Sequence, residues 1–299
     1  RDQERPHPPS APSPALRGKE AECADFHDVR LNATPENPYA NLPGAIAMNT
    51  RPPSPWTRRI ATLGVLAGVI ALLAMLAGPL YRAGMIGLGA AFSSVFFGYW
   101  LGLLAALFGV VALLLALFAQ PRRYLVRALI AIVLGVIAFV PPMLFKHKAG
   151  SVPAIHDITT DTANPPPFQT LLAERADAPN SAVYGGAEVA AKQHAAYPDI
   201  QPLQFDAPPA TVFKAALDSA KSMGWVIAAQ VPDEGRIEAT ATTFWFGFKD
   251  DVVIRLRPEA GGTRVDVRSE SRVGGSDVGA NAARIRAYSR KLREAVGAH

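Results

Sequence analysis

Between residues 60 and 145 the chain carries four charged side chains, Arg82, Arg122, Arg123 and Arg127, and no Asp or Glu. A run that long and that apolar has the composition of membrane spans rather than of a soluble core. Everything else is arranged around it: a polar stretch before it and a folded domain after it. The first span is expected at about 60–80, with Pro79 and the Tyr81–Arg82 pair at its far interface. From Ala83 to Ala119 no charge occurs. As a helix that piece would measure roughly 55 Å, too long for one crossing of a ~30 Å core. Gly84, Gly87 and Gly89 interrupt its start, so residues 85–92 are expected to be interfacial or re-entrant. The second span is then expected at about 95–118. The third is expected at about 125–145, ending at Pro141–Pro142 before Lys146, His147 and Lys148.

Orientation follows from basic residues near the span ends. Arg51, Arg58, Arg59, Arg122, Arg123 and Arg127 make six on one side, and Arg82, Lys146 and Lys148 make three on the other. The bias places the N-terminus in the cytoplasm. With three spans, the domain after Gly150 is expected outside it, extracytoplasmic in general and in the periplasm if the envelope is Gram-negative. The expected location is therefore the inner (plasma) membrane, multi-pass, with the lipid bilayer as first partner. Ionisable groups at mid-membrane would mark a transport path. The first two spans have none, and Arg127 sits one turn into the third, where it can snorkel. Gly64, Gly68, Gly102 and Gly109 permit close helix approach, so the spans read as an anchoring bundle, with a small transporter component as the rival.

The stretch 1–59 is rich in Pro, Ala and polar residues without apolar periodicity, and is expected to be disordered. Met48 precedes a short basic leader and then the apolar run, so residues before it are expected to stem from an over-extended gene start or a fragment. The run 60–79 exceeds a signal-peptide core and lacks an Ala-x-Ala end, which makes it a retained anchor. The single cysteine, Cys23, excludes an intramolecular disulfide. A net charge of +5 is too mild for a nucleic-acid binder, which would need a concentrated basic stripe. No cofactor is expected.

Residues 149–167 read as a Pro-rich spacer, with three prolines at 165–167. His156, Asp157 and Asp161 lack the spacing of a metal set. Residues 168–202 mix short helical signals with turns. Beyond them the pattern sharpens. Val212, Phe213, Ala216, Leu217, Ala220 and Met223 recur at helical spacing and Gly224 ends the helix. Residues 225–230 form a strand. Ile237, Ala239 and Ala241 alternate with Glu238, Thr240 and Thr242. Val252, Ile254 and Leu256 alternate with Val253, Arg255 and Arg257, and Gly261–Gly262 turns the chain. Val265, Val267, Ser269 and Ser271 alternate with Arg264, Asp266, Arg268, Glu270 and Arg272. A closing helix at about 280–296 has Ile285, Tyr288, Leu292 and Val296 on one face. The fold class expected is three membrane helices followed by an α+β domain at 168–299, a four-stranded antiparallel meander with helices on one face.

Two runs carry a resemblance. Phe248, Asp250, Asp251 and Val252 open a strand; Arg268, Ser269, Ser271, Arg272, Val273, Gly274, Ser276, Asp277, Gly279 and Asn281 form a second run before the last helix. This pattern resembles the domain-of-unknown-function 1499 family over about residues 165–296. The family's common basic residue after Asn281 is replaced by Ala282 and Ala283. The resemblance implies a domain and carries no mechanism.

No catalytic set emerges. Asp250 and Asp251 point to opposite faces of a strand and make a poor acid/base pair. Ser269, Ser271 and Ser276 have no nearby histidine. The loop 272–281 is the candidate ligand site. Its free N–H groups before a helix, with Arg272, Gly274, Ser276, Asp277, Asn281 and Arg284, suit an anion, while the plainer reading is a helix capped by Ser276 or Asp277. Phe244, Trp245, Phe246 and Phe248 cannot all face one core. They are either an exposed surface for lipid or an envelope protein partner, or packing beneath residues 168–202. The function expected is a membrane-anchored envelope protein whose outward domain binds a ligand or partner. The rivals are a hydrolase-like enzyme at loop 272–281 and the transporter component.

Overall fold

A computed structural model describes residues 55–119 and 122–297. The reading of residues 1–54 as a disordered leader lies outside the described residues. Helices α1 (Pro55–Met75), α3 (Leu88–Ala119) and α4 (Arg122–Ser151) pack side by side, and the short α2 (Ala77–Arg82) continues α1. Three stretches, Pro55–Arg82, Leu88–Leu117 and Tyr124–Ser151, are long and apolar enough to cross a membrane. Small residues fill the seams. Ala61, Ala71, Ala105, Ala112, Ala128, Ala131 and Ala138 are buried, while Leu63, Leu66, Leu107, Val133 and Ile137 point outward. A Cβ on Gly64 would lie 3.0 Å from the Ala131 Cβ, and one on Gly135 would meet the Ala106 backbone. Large side chains outside and small ones inside is the pattern of helices that meet lipid.

Two expectations about these helices change. The second helix starts at Leu88 without a break, so 88–94 is part of it. The third passes through Pro141–Pro142 and ends at Ser151. Proline removes an N–H from a helix but need not end it when the flanking turns are supported.

Beyond α4 the chain builds a six-stranded antiparallel sheet: β1 (Asp157–Thr159), β2 (Leu203–Phe205), β3 (Val226–Val231), β4 (Arg236–Thr242), β5 (Lys249–Glu259) and β6 (Gly262–Ser271). The order is β1-β6-β5-β4-β3, with β2 also on β6. The expected meander of four strands is therefore the centre of a larger sheet. Asp157, Ile158 and Thr159 pair with Glu270, Ser269 and Arg268, so a strand sits inside the stretch read as a spacer. Leu203, Gln204 and Phe205 pair with Val265, Arg264 and Thr263. The two short strands lie end to end along one edge of β6. Three residues cannot show a period of two, which is why neither was legible.

The meander itself forms for the reasons its pattern suggests. Ile237, Ala239, Val252, Ile254, Leu256, Val265 and Val267 share one face. Helices α6 (Pro209–Ser222) and α7 (Ala280–Gly297) cover it with Val212, Phe213, Ala216, Ile285, Tyr288 and Leu292. Gly235 turns β3 into β4 at φ 60°, with a Leu256 carbonyl where a Cβ would stand, so only glycine fits. The opposite face is covered by residues 160–184, including a 3₁₀ turn at Thr170–Arg175, and α5 (Gly186–Ala196) follows. Helices and sheet belong to one compact unit, Thr50–His299.

Candidate functional site

The loop after β6 is built from side chains that bond to its own backbone. Asp277 accepts from the N–H of Gly279 at 2.7 Å and of Asn281 at 2.6 Å, which caps α7. Ser276 Oγ accepts from Val278 N–H at 3.2 Å, and Val278 takes a left-handed φ of 53°. Asn180 Nδ2 donates to the carbonyls of Ser271 and Gly274, both at 2.9 Å. Burial pushes the Asp277 carboxyl above the ordinary carboxylate range, against the pull of the two backbone N–H groups.

The sheet separates the candidate residues. On the helix side, Asn281 accepts from Ser269 Oγ at 2.7 Å and donates to the His156 carbonyl at 2.8 Å and to Ser271 Oγ at 3.0 Å. Arg284 bonds Ser269, Asn281 and Asp250. On the other side, Arg272 donates to both oxygens of Asp251, at 2.8 and 2.9 Å, and to Glu174 at 3.0 Å. Arg272 is 8% exposed. The two guanidinium groups therefore face away from each other, each with its own carboxylate, and Arg286 pairs with Asp199. Gly274 and Gly275 remain exposed at the tip.

Arg272 belongs to a larger arrangement. The charged positions of β6 (Arg264, Asp266, Arg268 and Glu270), continued by Arg272 just past its end, share a face with Asp251, Arg255 and Arg257 of β5 and with Arg236, Glu238 and Thr240 of β4. Glu238 is fully buried and accepts from the N–H groups of Gln169, Thr170 and Leu171, so a carboxylate holds the first turn of the 3₁₀ segment. Arg268 grips Asp157 with two bonds, at 2.9 and 2.8 Å, between the rings of Phe168 and Tyr184. Arg175 reaches Asp251 at 2.8 Å. Asp161 and Asp266 gather Arg255, Arg257 and Arg264. His156, Asp157 and Asp161 are thereby split. Asp157 and Asp161 each serve arginines, and His156 contributes its backbone carbonyl.

Glu270 is the unusual member. Its Oε1 lies 3.0 Å from Arg175 Nη2 without forming a hydrogen bond. Burial, with Asp157 and Asp251 adding to it, pushes its carboxyl up to about 8 although Arg268 and Arg175 pull the other way. Arg175, Arg268 and Arg272 are already paired with Asp157, Asp251 and Glu174, so the pull of Arg175 and of Arg268, whose Nη2 donates to Glu270 Oε2 at 3.2 Å, is shared with those carboxylates.

The third place is the β4–β5 hairpin tip, residues 243–248. Thr243 N–H donates to the Phe248 carbonyl at 2.8 Å, and Gly247 N–H to the Thr243 carbonyl at 3.0 Å. Phe246 and Phe248 stack at 5.0 Å and meet Tyr81 and Phe92 at 5.4–6.4 Å. Trp245 lies on Gly78, where any Cβ would collide with the indole. Arg82 Nη1 donates to the Phe244 carbonyl at 2.7 Å. Phe244 is 84% exposed and Trp245 42%. The aromatic cluster thus packs neither under residues 168–202 nor wholly in the open. Trp245, Phe246 and Phe248 grip the end of the helix bundle, and Phe244 is bare beside it. Sequence pattern identified the cluster but not its receiver, because Gly78, Tyr81 and Phe92 look like ordinary span residues.

A cleft of about 460 Å³ lies between residues 199–203 and α7, lined by Arg286, Arg290 and Arg293 among others. Sequence reasoning missed Glu174, Arg175 and Asn180, which hold the loop from residues 168–184. The signal was present: a strand face with a charge at every second position from 264 to 272 needs partners of opposite sign somewhere in the chain.

A search of the curated proteins returned no match to the chain. Residues 157–292 match the family model described as "Protein of unknown function (DUF1499)". The match opens at β1 and closes inside α7, so it takes in the whole sheet and both faces of the loop 272–281.

Proposed function

We propose, from the premise that the C-terminal domain belongs to this family, that the protein is a multi-pass inner-membrane protein of the envelope. Its DUF1499 domain stands outside the cytoplasm and works there as a binding module rather than a catalyst. The observation that supports this reading is the hairpin tip seated on the Tyr81–Arg82 end of the bundle, where the first apolar stretch ends. The end that bears the domain has Arg82, Lys146 and Lys148, and the opposite end has twice as many basic residues in the sequence. Seams filled by Ala and Gly support an anchor over a conduit. Arg272 and Arg284, each held by a carboxylate, support a clamp role for loop 272–281.

The test is a pair of fusions at the C-terminus, alkaline phosphatase in one strain and a cytoplasm-only reporter in another. Phosphatase activity with a silent cytoplasmic reporter is the expected result. The reverse pattern would place the domain in the cytoplasm and overturn the topology.

A further inference from the structure

The hairpin tip and the turn after α2 enclose a cleft of about 440 Å³ lined by Pro79, Arg82, Ala83, Phe244 and Trp245. Its composition is split: one cation on a wall that is otherwise apolar. Arg82 ends the first apolar stretch, Pro55–Arg82, and so marks the depth at which acyl chains give way to headgroups. Its stem is pinned against Gly247, where a Cβ would crowd Arg82 Cγ and Cδ, and one Nη bonds the Phe244 carbonyl. Among the described residues no carboxylate is paired with it, in contrast to the arginines on the charged face of the sheet. Along the sequence, no Asp or Glu occurs from Arg51 to His156. Phe244 is left bare beside this cation, and Trp245, packed on Gly78, keeps part of its ring exposed there.

We infer that this cleft binds one anionic glycerophospholipid, its phosphate on Arg82 and an acyl chain along Phe244 and Trp245. The inference rests on the membrane-anchored reading above and names the ligand for it. A free phosphate would use the single guanidinium and gain nothing from the apolar wall. A lipid uses both, because its charge and its hydrocarbon meet at the depth where Arg82 and the aromatic side chains meet. The geometry also accounts for an exposed Phe244 at a hairpin tip, a position where a soluble protein would place a polar residue.

The experiment is native mass spectrometry of the full chain in detergent, titrated with dioleoylphosphatidylglycerol, dioleoylphosphatidylcholine or inorganic phosphate. One tight equivalent of phosphatidylglycerol is expected, with phosphatidylcholine binding weaker and inorganic phosphate failing to compete. Arg82→Gln should weaken phosphatidylglycerol by about fivefold and remove the preference over phosphatidylcholine. Phe244→Ser, at a side chain with little packing to lose, should weaken both lipids while leaving the melting temperature unchanged. Equal affinity for the two lipids, or parental binding by both variants, overturns the inference. Displacement by inorganic phosphate overturns it in favour of a free anion. If Arg82→Gln proves unstable, Phe244→Ser alone decides. None of these outcomes depends on which side of the membrane the domain occupies, so a failed lipid site and a failed topology are read separately.

Discussion

Glu270 shows how a single group sets the pH response of the domain. Its folded carboxyl titrates near 8 while the unfolded chain titrates near the ordinary 4.5, so between those values the folded protein holds a proton that the unfolded chain has released. Stability from this group is fully present below about 4.5 and is lost as pH rises to about 8. Asp277, also raised, contributes with the same sign from a lower starting point. Glu270→Gln keeps the shape and removes the titration. Denaturant midpoints of the purified protein should therefore fall between pH 5 and pH 8 for the parent and fall less for the variant, which should be the more stable at pH 9. A parallel pair of curves would contradict a protonated Glu270. The alternation at 264–272 identified these side chains as one face of a strand. It called for partners of opposite sign but did not say that residues 160–184 would supply them and bury the face. Burial by an irregular segment leaves no periodic trace, and neither does the proton on Glu270.

At the scale of elements, those whose apolar residues repeat were legible, α6, α7 and the four central strands, although β5 runs three residues earlier and two later than its alternation and α6 starts three residues earlier than its periodic run. β1 and β2 escaped because each spans one pleat and owes its extension to β6. The helix seams were legible in kind, since Gly64, Gly68, Gly102 and Gly109 do face neighbouring helices, although Gly135 was missed. Gly135 meets Gly102 and Ala106 backbone atoms so closely that any side chain must push α3 and α4 apart. Gly135→Val is expected to lower the melting temperature of the detergent-solubilised protein and to speed its overall digestion by protease. Ala90→Val, at an exposed helix position, serves as the control and should leave both unchanged. The candidate site was legible in the same partial way. The cap of α7 was narrowed to Ser276 or Asp277, of which Asp277 holds the helix N–H groups, but Arg272 and Arg284 were taken as neighbours when a sheet lies between them.

For the whole molecule, what matters is how bundle and domain are joined. Helix α4 runs on to Ser151, β1 begins at Asp157, and the side chains of Lys148 and Val152 lie beside Gly279 at the start of α7. Together with the hairpin tip this gives attachments on separate elements. Insertion of Gly-Ser-Gly-Ser between Gly150 and Ser151 is expected to speed cleavage of the 151–157 segment by limited proteolysis, with the domain itself remaining resistant. Equal cleavage rates would mean the junction is already loose.

The continuation of α4 past Pro142 has one more consequence. A domain on a long flexible leash sweeps a volume and can search for distant targets. A domain carried on an unbroken helix and braced by a hairpin has almost no reach. Were the three apolar helices set in a bilayer, it would meet only what travels in that plane or comes to its surface, and its rate of encounter would be set by lateral diffusion rather than by the length of a tether.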